Sequence, residues 1–209
     1  NELLASRLDQ GAPAPSIETL VHAVLPGRFV DHTHADAILA LTNQEDGEGH
    51  VRHALGDDVA VLPYVKPGFP LGRQAAQALS DHSDVIAMVW MHHGIVVWGE
   101  TAQESYDRMI ELVSRAETYL DQVALRRGET TATKAADNCE QRLANIAPIV
   151  RGLLATPTPG GRHSYQRVVL QALTDTKTNG LLANLETSLL LSPPLTGDHL
   201  FRTKPLPAW

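Results

Sequence analysis

Cysteine is almost missing: Cys139 is the one thiol in 209 residues. An intramolecular disulfide is excluded, and a reducing, cytoplasmic compartment is the expectation. Basic residues are also few, 17 against 24 acidic, for a formal net charge of −7. Nucleic-acid binding needs a basic face, so no such partner is expected. No apolar run reaches the ~18 residues of a membrane span. The longest, Val85–Met91, has strand length, so no membrane partner is expected either. Gly-x-Gly-x-x-Gly, a Walker loop and a Gly-x-Ser-x-Gly elbow are all absent. Their absence removes the usual signatures of dinucleotide, nucleoside triphosphate and serine-hydrolase chemistry. Lysines number four, and Lys66 lies in loop-like sequence before Pro67-Gly68, so a Schiff-base aldolase lacks an obvious nucleophile. Cys139 has no histidine close by in sequence and reads as a small buried hydrophobe. No signal peptide opens the chain, and Asn1 in place of methionine makes part of a longer protein the expectation.

What is present is an ordinary globular composition, 43% hydrophobic and 20% charged. Pro13 and Pro15 flank a break, after which Ser16 can cap a short helix over Ile17–Leu25. Arg28–His34 has strand character, and Asp36 can cap the apolar segment Ala37–Leu41. Glu45–Leu55 reads as a polar helix closed by Gly56, Val59–Val65 as a strand and Leu71–Ser80 as an Ala-rich helix. Val85–Met91 and Ile95–Trp98 read as two buried strands joined by His92-His93-Gly94, a possible hairpin. Thr101-Ala102-Gln103-Glu104 fits a capping box. Behind it Tyr106, Met109, Ile110, Val113, Ala116, Tyr119, Leu120 and Val123 recur at helical spacing. Ala135–Leu154 reads as a helix interrupted or kinked by Pro148. Pro157–Gly161 reads as a linker, Tyr165–Leu173 and Gly180–Leu191 as further segments, and Ser192–Trp209 as an extended connector.

Ten histidines are the unusual feature. His32-Thr33-His34 sits in strand-like sequence, where residues i and i+2 share a face and can grip one metal ion. His92-His93-Gly94 lies where a buried strand meets a turn, a rigid place for another ligand. Three neutral imidazoles and an open position make a catalytic zinc site. Such a site needs an acid/base partner. Glu18 is a candidate, although a glutamate there can equally serve the helix dipole.

Pro15-Ser16-Ile17-Glu18, then Val30–Asp36, then His93–Gly99 together resemble the class II aldolase/adducin family over roughly residues 14–117. The resemblance is nearest to the aldolase part of bacterial rhamnulose-1-phosphate aldolase/short-chain dehydrogenase fusion proteins. Ala14–Pro26, Lys66-Pro67-Gly68-Phe69 and Leu195–Pro205 carry that nearer likeness. It implies an α/β fold with a central, mostly antiparallel sheet flanked by helices. It implies His32, His34 and His93 as zinc ligands and Glu18 as the catalytic acid/base; alternation of adjacent strand residues would turn His92 elsewhere. It places Ser16 on a substrate-phosphate contact, with Ile17 where the family often has a second serine. The implied function is zinc-dependent cleavage of a ketose 1-phosphate, rhamnulose-1-phosphate-like, to dihydroxyacetone phosphate and an aldehyde. The alternatives are a sugar-phosphate epimerase or dehydratase of the same family, or an adducin-like assembly domain without catalysis. The resemblance also implies a homo-oligomer, most simply a tetramer. Residues 1–128 would form the aldolase/adducin-like core, without the family's N-terminal phosphate loops. Residues 129–209 would form a helical extension and linker toward a dehydrogenase domain.

Overall fold

The computed structural model describes residues 2–126, 139–160, 165–171 and 195–202. The chain divides into two compact units, Asn1–Arg127 with Pro193–Trp209, and Gly128–Ser192. The first unit contains α1 (Glu2–Ala5), α2 (Thr19–Val24), β1 (Phe29–Thr33), α3 (Asp36–Thr42) and α4 (Gly47–Leu55). It continues with β2 (Val59–Leu62), α5 (Phe69–Asp81), β3 (Ala87–Trp90), β4 (Gly94–Gly99) and α6 (Ala102–Arg126). The second unit contains α7 (Cys139–Leu153), β5 (Thr156–Pro157) and β6 (Tyr165–Gln166). The last described helix, α8 (Gly197–Arg202), belongs to the first unit. No helix among the described residues is long and apolar enough to cross a membrane.

The sheet runs β1-β4-β3-β2, antiparallel at β1–β4 and β4–β3 and parallel at β3–β2. It is thus mostly antiparallel, as expected, with one parallel pair made by the crossover through α5. A parallel pair needs such a long connection, whereas β3 and β4 need only a tight turn. Every residue of β3 and β4 is buried. The pleat sends alternate residues to opposite faces, and each face is covered. Val89, Ile95 and Val97 pack with Ile38, Val51, Met109 and Leu112 from α3, α4 and α6. Met88, Trp90, Val96 and Trp98 pack with Val21, Leu25, Leu71 and Ala75 from the α2 and α5 side. Full burial on both faces is why these strands read as near-continuous apolar runs.

Several sequence expectations need adjustment. The helix after Ser16 begins at Thr19, because the Ser16 carbonyl and hydroxyl first hold a turn. In α6 the buried stripe is Ser105, Met109, Leu112 and Ala116, while Tyr106 and Ile110 are exposed. Thr101 Oγ1 accepts the Glu104 N–H at 3.1 Å, but Glu104 reaches back to the N–H of Glu100 rather than that of Thr101. α7 runs through Pro148. The linker-like stretch after it pairs Thr156-Pro157 with Tyr165-Gln166. Gly197–Arg202 is helical rather than extended. The expected Gly180–Leu191 segment lies outside the described residues.

Gly94 is where the sheet is tightest. A Cβ there would lie 2.3 Å from the Thr33 carbonyl oxygen, 3.0 Å from His32 Cε1 and 3.2 Å from His34 Cδ2. The nearest atom is backbone, so relief requires β1 to move. Gly94→Ala is expected to destabilise the protein by about 1–3 kcal/mol, the usual scale of overpacking. Denaturant unfolding measures it; an unchanged midpoint would show that β1 yields freely.

Candidate metal centre

His32 lies in β1 opposite Val96 of β4, so its side chain takes the Val96 and Trp98 face of the sheet. His34 follows two residues on. His93 ends the turn between β3 and β4, its N–H closing on the Trp90 carbonyl at 3.0 Å. Glu18 enters from the start of α2. Its backbone occupies the N-cap position, yet its side chain makes no capping bond. Instead Glu18 Oε1 lies 3.0 Å from His93 Nε2, and Oε2 lies 3.8 Å from His32 Nε2. The rings converge: His32 and His34 centroids are 4.9 Å apart, His32 and His93 5.1 Å, and His34 and His93 5.0 Å. Glu18, His32, His34 and His93 each offer one ligand atom, all within 4.8 Å of one another.

The tautomers follow from the partners. His32 Nδ1 faces the Ile95 carbonyl at 2.9 Å. A carbonyl only accepts, so Nδ1 carries the proton and Nε2 keeps its lone pair. His34 Nδ1 faces Asp198 Oδ2 at 2.8 Å, so the neutral tautomer of this ring likewise carries its proton on Nδ1 and its lone pair on Nε2. Both Nε2 atoms are buried and have no hydrogen-bond partner among the described residues. A buried unsatisfied polar atom costs roughly 1–3 kcal/mol. Two lone pairs turned toward one carboxylate and a third imidazole form a donor set that fits a divalent cation.

Electrostatics keep the set ready to ligate. Burial pushes the His32 imidazole down to about 4, against the raising effects of the Ile95 carbonyl and Glu18. Trp90 supplies part of that burial: it is 1% exposed, with its ring centroid 4.7 Å from that of His32. The hydrogen bond with His93 holds the Glu18 carboxyl below its usual range; burial opposes this and the three imidazoles assist it. At neutral pH, then, His32 is a neutral donor and Glu18 a carboxylate.

Ser16 is exposed and lies outside the cluster; its Oγ accepts the Glu18 N–H at 3.2 Å. It thereby fixes the turn that carries Glu18. His92 points away, its Nδ1–H donating to Asn43 Oδ1 at 2.9 Å. The reason is a left-handed turn residue, φ 60°, rather than strand alternation. His50 pairs with Tyr119, and His53 with the Gly49 carbonyl. Sequence reasoning missed Asp198, Asn43 and the Ile95 carbonyl as partners of this region. Asp198 lies 164 residues from His34, and no local spacing reports such a contact.

Acid sensitivity follows from His32. Its proton affinity is lower in the folded state, so the unfolded chain binds more protons between pH 6.5 and about 4. Stability therefore falls as pH drops through that window, by up to about 3 kcal/mol for the metal-free protein. Glu18, lowered from 4.5, continues the loss at still lower pH. Thermal unfolding of chelator-treated protein across pH 4–7 is expected to show this decline, and His32→Phe to flatten it. An unaltered slope in that variant would remove His32 as the cause.

The class II aldolase and adducin N-terminal domain matches residues 2–120. The uncharacterized oxidoreductase YuxG of Bacillus subtilis is 34% identical over 152 residues, 71% of this chain and 22% of its own length. Methylthioribulose-1-phosphate dehydratase of Bos taurus is 31% identical over 116 residues, 51% of this chain and 46% of its own. The chain thus spans less than half the length of these relatives. Among solved structures, the N-terminal class II aldolase domain of a conserved Thermoplasma acidophilum protein is 40% identical. It covers 54% of this chain and 51% of that one, with a TM-score of 0.49. A sugar-phosphate aldolase from Thermotoga maritima is 24% identical, covering 55% and 57%, with a TM-score of 0.48. Because the family domain takes in more than half of its residues, including every member of the Glu/His cluster, the chain belongs to the class II aldolase and adducin family.

Proposed function

We propose that the chain is a zinc-dependent aldolase that cleaves a ketose 1-phosphate, rhamnulose-1-phosphate-like, to dihydroxyacetone phosphate and an aldehyde. The observation that carries this reading is the convergence of His32, His34, His93 and Glu18 within 4.8 Å in a chain of the class II aldolase and adducin family. His32, His34 and His93 would hold the zinc through their imidazoles. When bound, the cation supplies Lewis acidity to the oxygens that gain charge as the carbon–carbon bond breaks. Glu18, ionised at neutral pH, carries the proton to or from the carbon at which that bond is made or broken. Trp90 walls the inner side and keeps water from it. Ser16 lies in the turn holding Glu18 and would contact the substrate phosphate.

The likeness to methylthioribulose-1-phosphate dehydratase supports a second reading, loss of water from a sugar phosphate at the same residues. Product analysis separates the two: cleavage yields two carbonyl compounds, dehydration one. The oxidoreductase name of YuxG, matched over 22% of its length, supports residues 1–128 as the aldolase core and 129–209 as an extension toward a dehydrogenase domain. Within that extension, the 195–202 stretch packs with the core unit. A cytoplasmic location is part of the same reading.

Purified protein is expected to hold about one zinc per chain, lost in His32→Ala or His93→Ala. Glu18→Gln is expected to keep metal, with turnover of rhamnulose 1-phosphate reduced roughly 10²–10⁴-fold, the usual contribution of a positioned acid/base. Near-normal cleavage by that variant would return Glu18 to a helix-start charge.

The proposal includes a homo-oligomer, most simply a tetramer. Phe29 on edge strand β1, and Tyr106 and Ile110 on α6, are 42%, 59% and 49% exposed and give apolar surface for it. Light scattering is expected to give a multiple of the chain mass. A fully active monomer at micromolar concentration would contradict it.

A further inference from the structure

The stretch Leu195–Arg202 is held against the first unit at separate points. Asn43 Nδ2 donates to the Leu195 carbonyl at 3.2 Å, while the same side chain's Oδ1 holds His92, the neighbour of His93. Thr196 is 4% exposed, and its hydroxyl accepts the His199 N–H at 3.2 Å. The Thr196 hydroxyl also meets His199 Nδ1 at 2.9 Å. These bonds fix the first turn of α8, and Asp198 lies in that turn. Its Oδ2 reaches His34 Nδ1 at 2.8 Å.

We propose that Asp198 is a positioning residue of the metal centre, acting through His34. Its carboxylate accepts the hydrogen bond from Nδ1–H, which sets the tautomer and turns the Nε2 lone pair toward Glu18, His32 and His93. It also makes that nitrogen a stronger donor, because a charged acceptor polarises the ring more than a neutral one. His32 is oriented by a neutral acceptor, the Ile95 carbonyl, which belongs to the sheet itself. His34 is oriented by a side chain on a segment 164 residues away. The centre therefore draws on two parts of the chain: β1 and the β3–β4 turn with the residues beside them, which carry the three imidazoles, and α8, which positions one of them. This inference rests on the reading that the cluster holds a divalent cation.

The test compares the full chain with Asp198→Ala, Asp198→Asn and Asp198→Glu. Zinc affinity is measured by competition with a chromophoric chelator, and the visible spectrum is recorded with cobalt(II) at saturation. Asp198→Ala is expected to weaken zinc about 10–100-fold, the usual effect of losing a carboxylate behind a metal-binding histidine. Asp198→Asn, which keeps an acceptor but no charge, should lose less. Asp198→Glu should recover part of the affinity, and the cobalt bands should shift in Asp198→Ala. Thermal unfolding of the metal-free proteins separates positioning from support of the fold. Equal zinc affinity and an unchanged cobalt spectrum in Asp198→Ala would overturn the proposal. So would a loss of affinity that tracks metal-free stability and is not recovered by Asp198→Glu. Failure of the unaltered chain to bind zinc would overturn the underlying reading, and this proposal with it.

Discussion

The antiparallel register between β1 and β4 is the constraint on which the centre depends. Pairing Thr33 with Ile95 and His32 with Val96 brings the His-x-His segment alongside the residues that follow His93. The two strands can approach so closely because position 94 has no side chain. The same register gives the Ile95 carbonyl to His32 Nδ1. One backbone arrangement therefore sets the spacing of three imidazoles and the tautomer of one. A shift by one residue would send His32 to the opposite face.

The core on the α2 and α5 side adds the second ingredient, a dry wall. Trp90 lies beneath both His32 and His93, with ring centroids 4.7 Å and 5.1 Å away. Burial makes protonation of His32 unfavourable, and three imidazole nitrogens of the cluster, His32 Nε2, His34 Nε2 and His93 Nδ1, have no hydrogen-bond partner among the described residues. Such an arrangement costs folding stability locally and is tolerated because the sheet around it is apolar on both faces. Glu18 offsets part of the cost by reaching His93 from α2.

The fold class was largely legible in the sequence because its strongest signals are local. Two buried strands around His92-His93-Gly94 and a capped helix after them show in composition and spacing. The gathering of the histidines was partly legible, since a His-x-His pair on a strand is a short-range pattern, while His93 and Glu18 rested on the family resemblance. What escaped is long-range or conformational. Asp198 and Asn43 act across the fold, where spacing carries no information. The left-handed backbone of His92 depends on the hairpin closing after Trp90. Tyr106 and Ile110 fit the helical period but face outward, because periodicity does not say how wide the covered stripe is.

The sequence distance between the parts of this centre also bears on how it assembles. His32 and the carbonyl that orients it are 63 residues apart, and the loop between them must close before the pairing forms. In an unfolded chain a cation would find the His32–His34 pair as its local handle, and that pair alone is a weak chelator. Closing so long a loop costs entropy whether or not a cation is present. A cation held by the cluster would therefore act mainly after the sheet has paired, by slowing escape from the finished state.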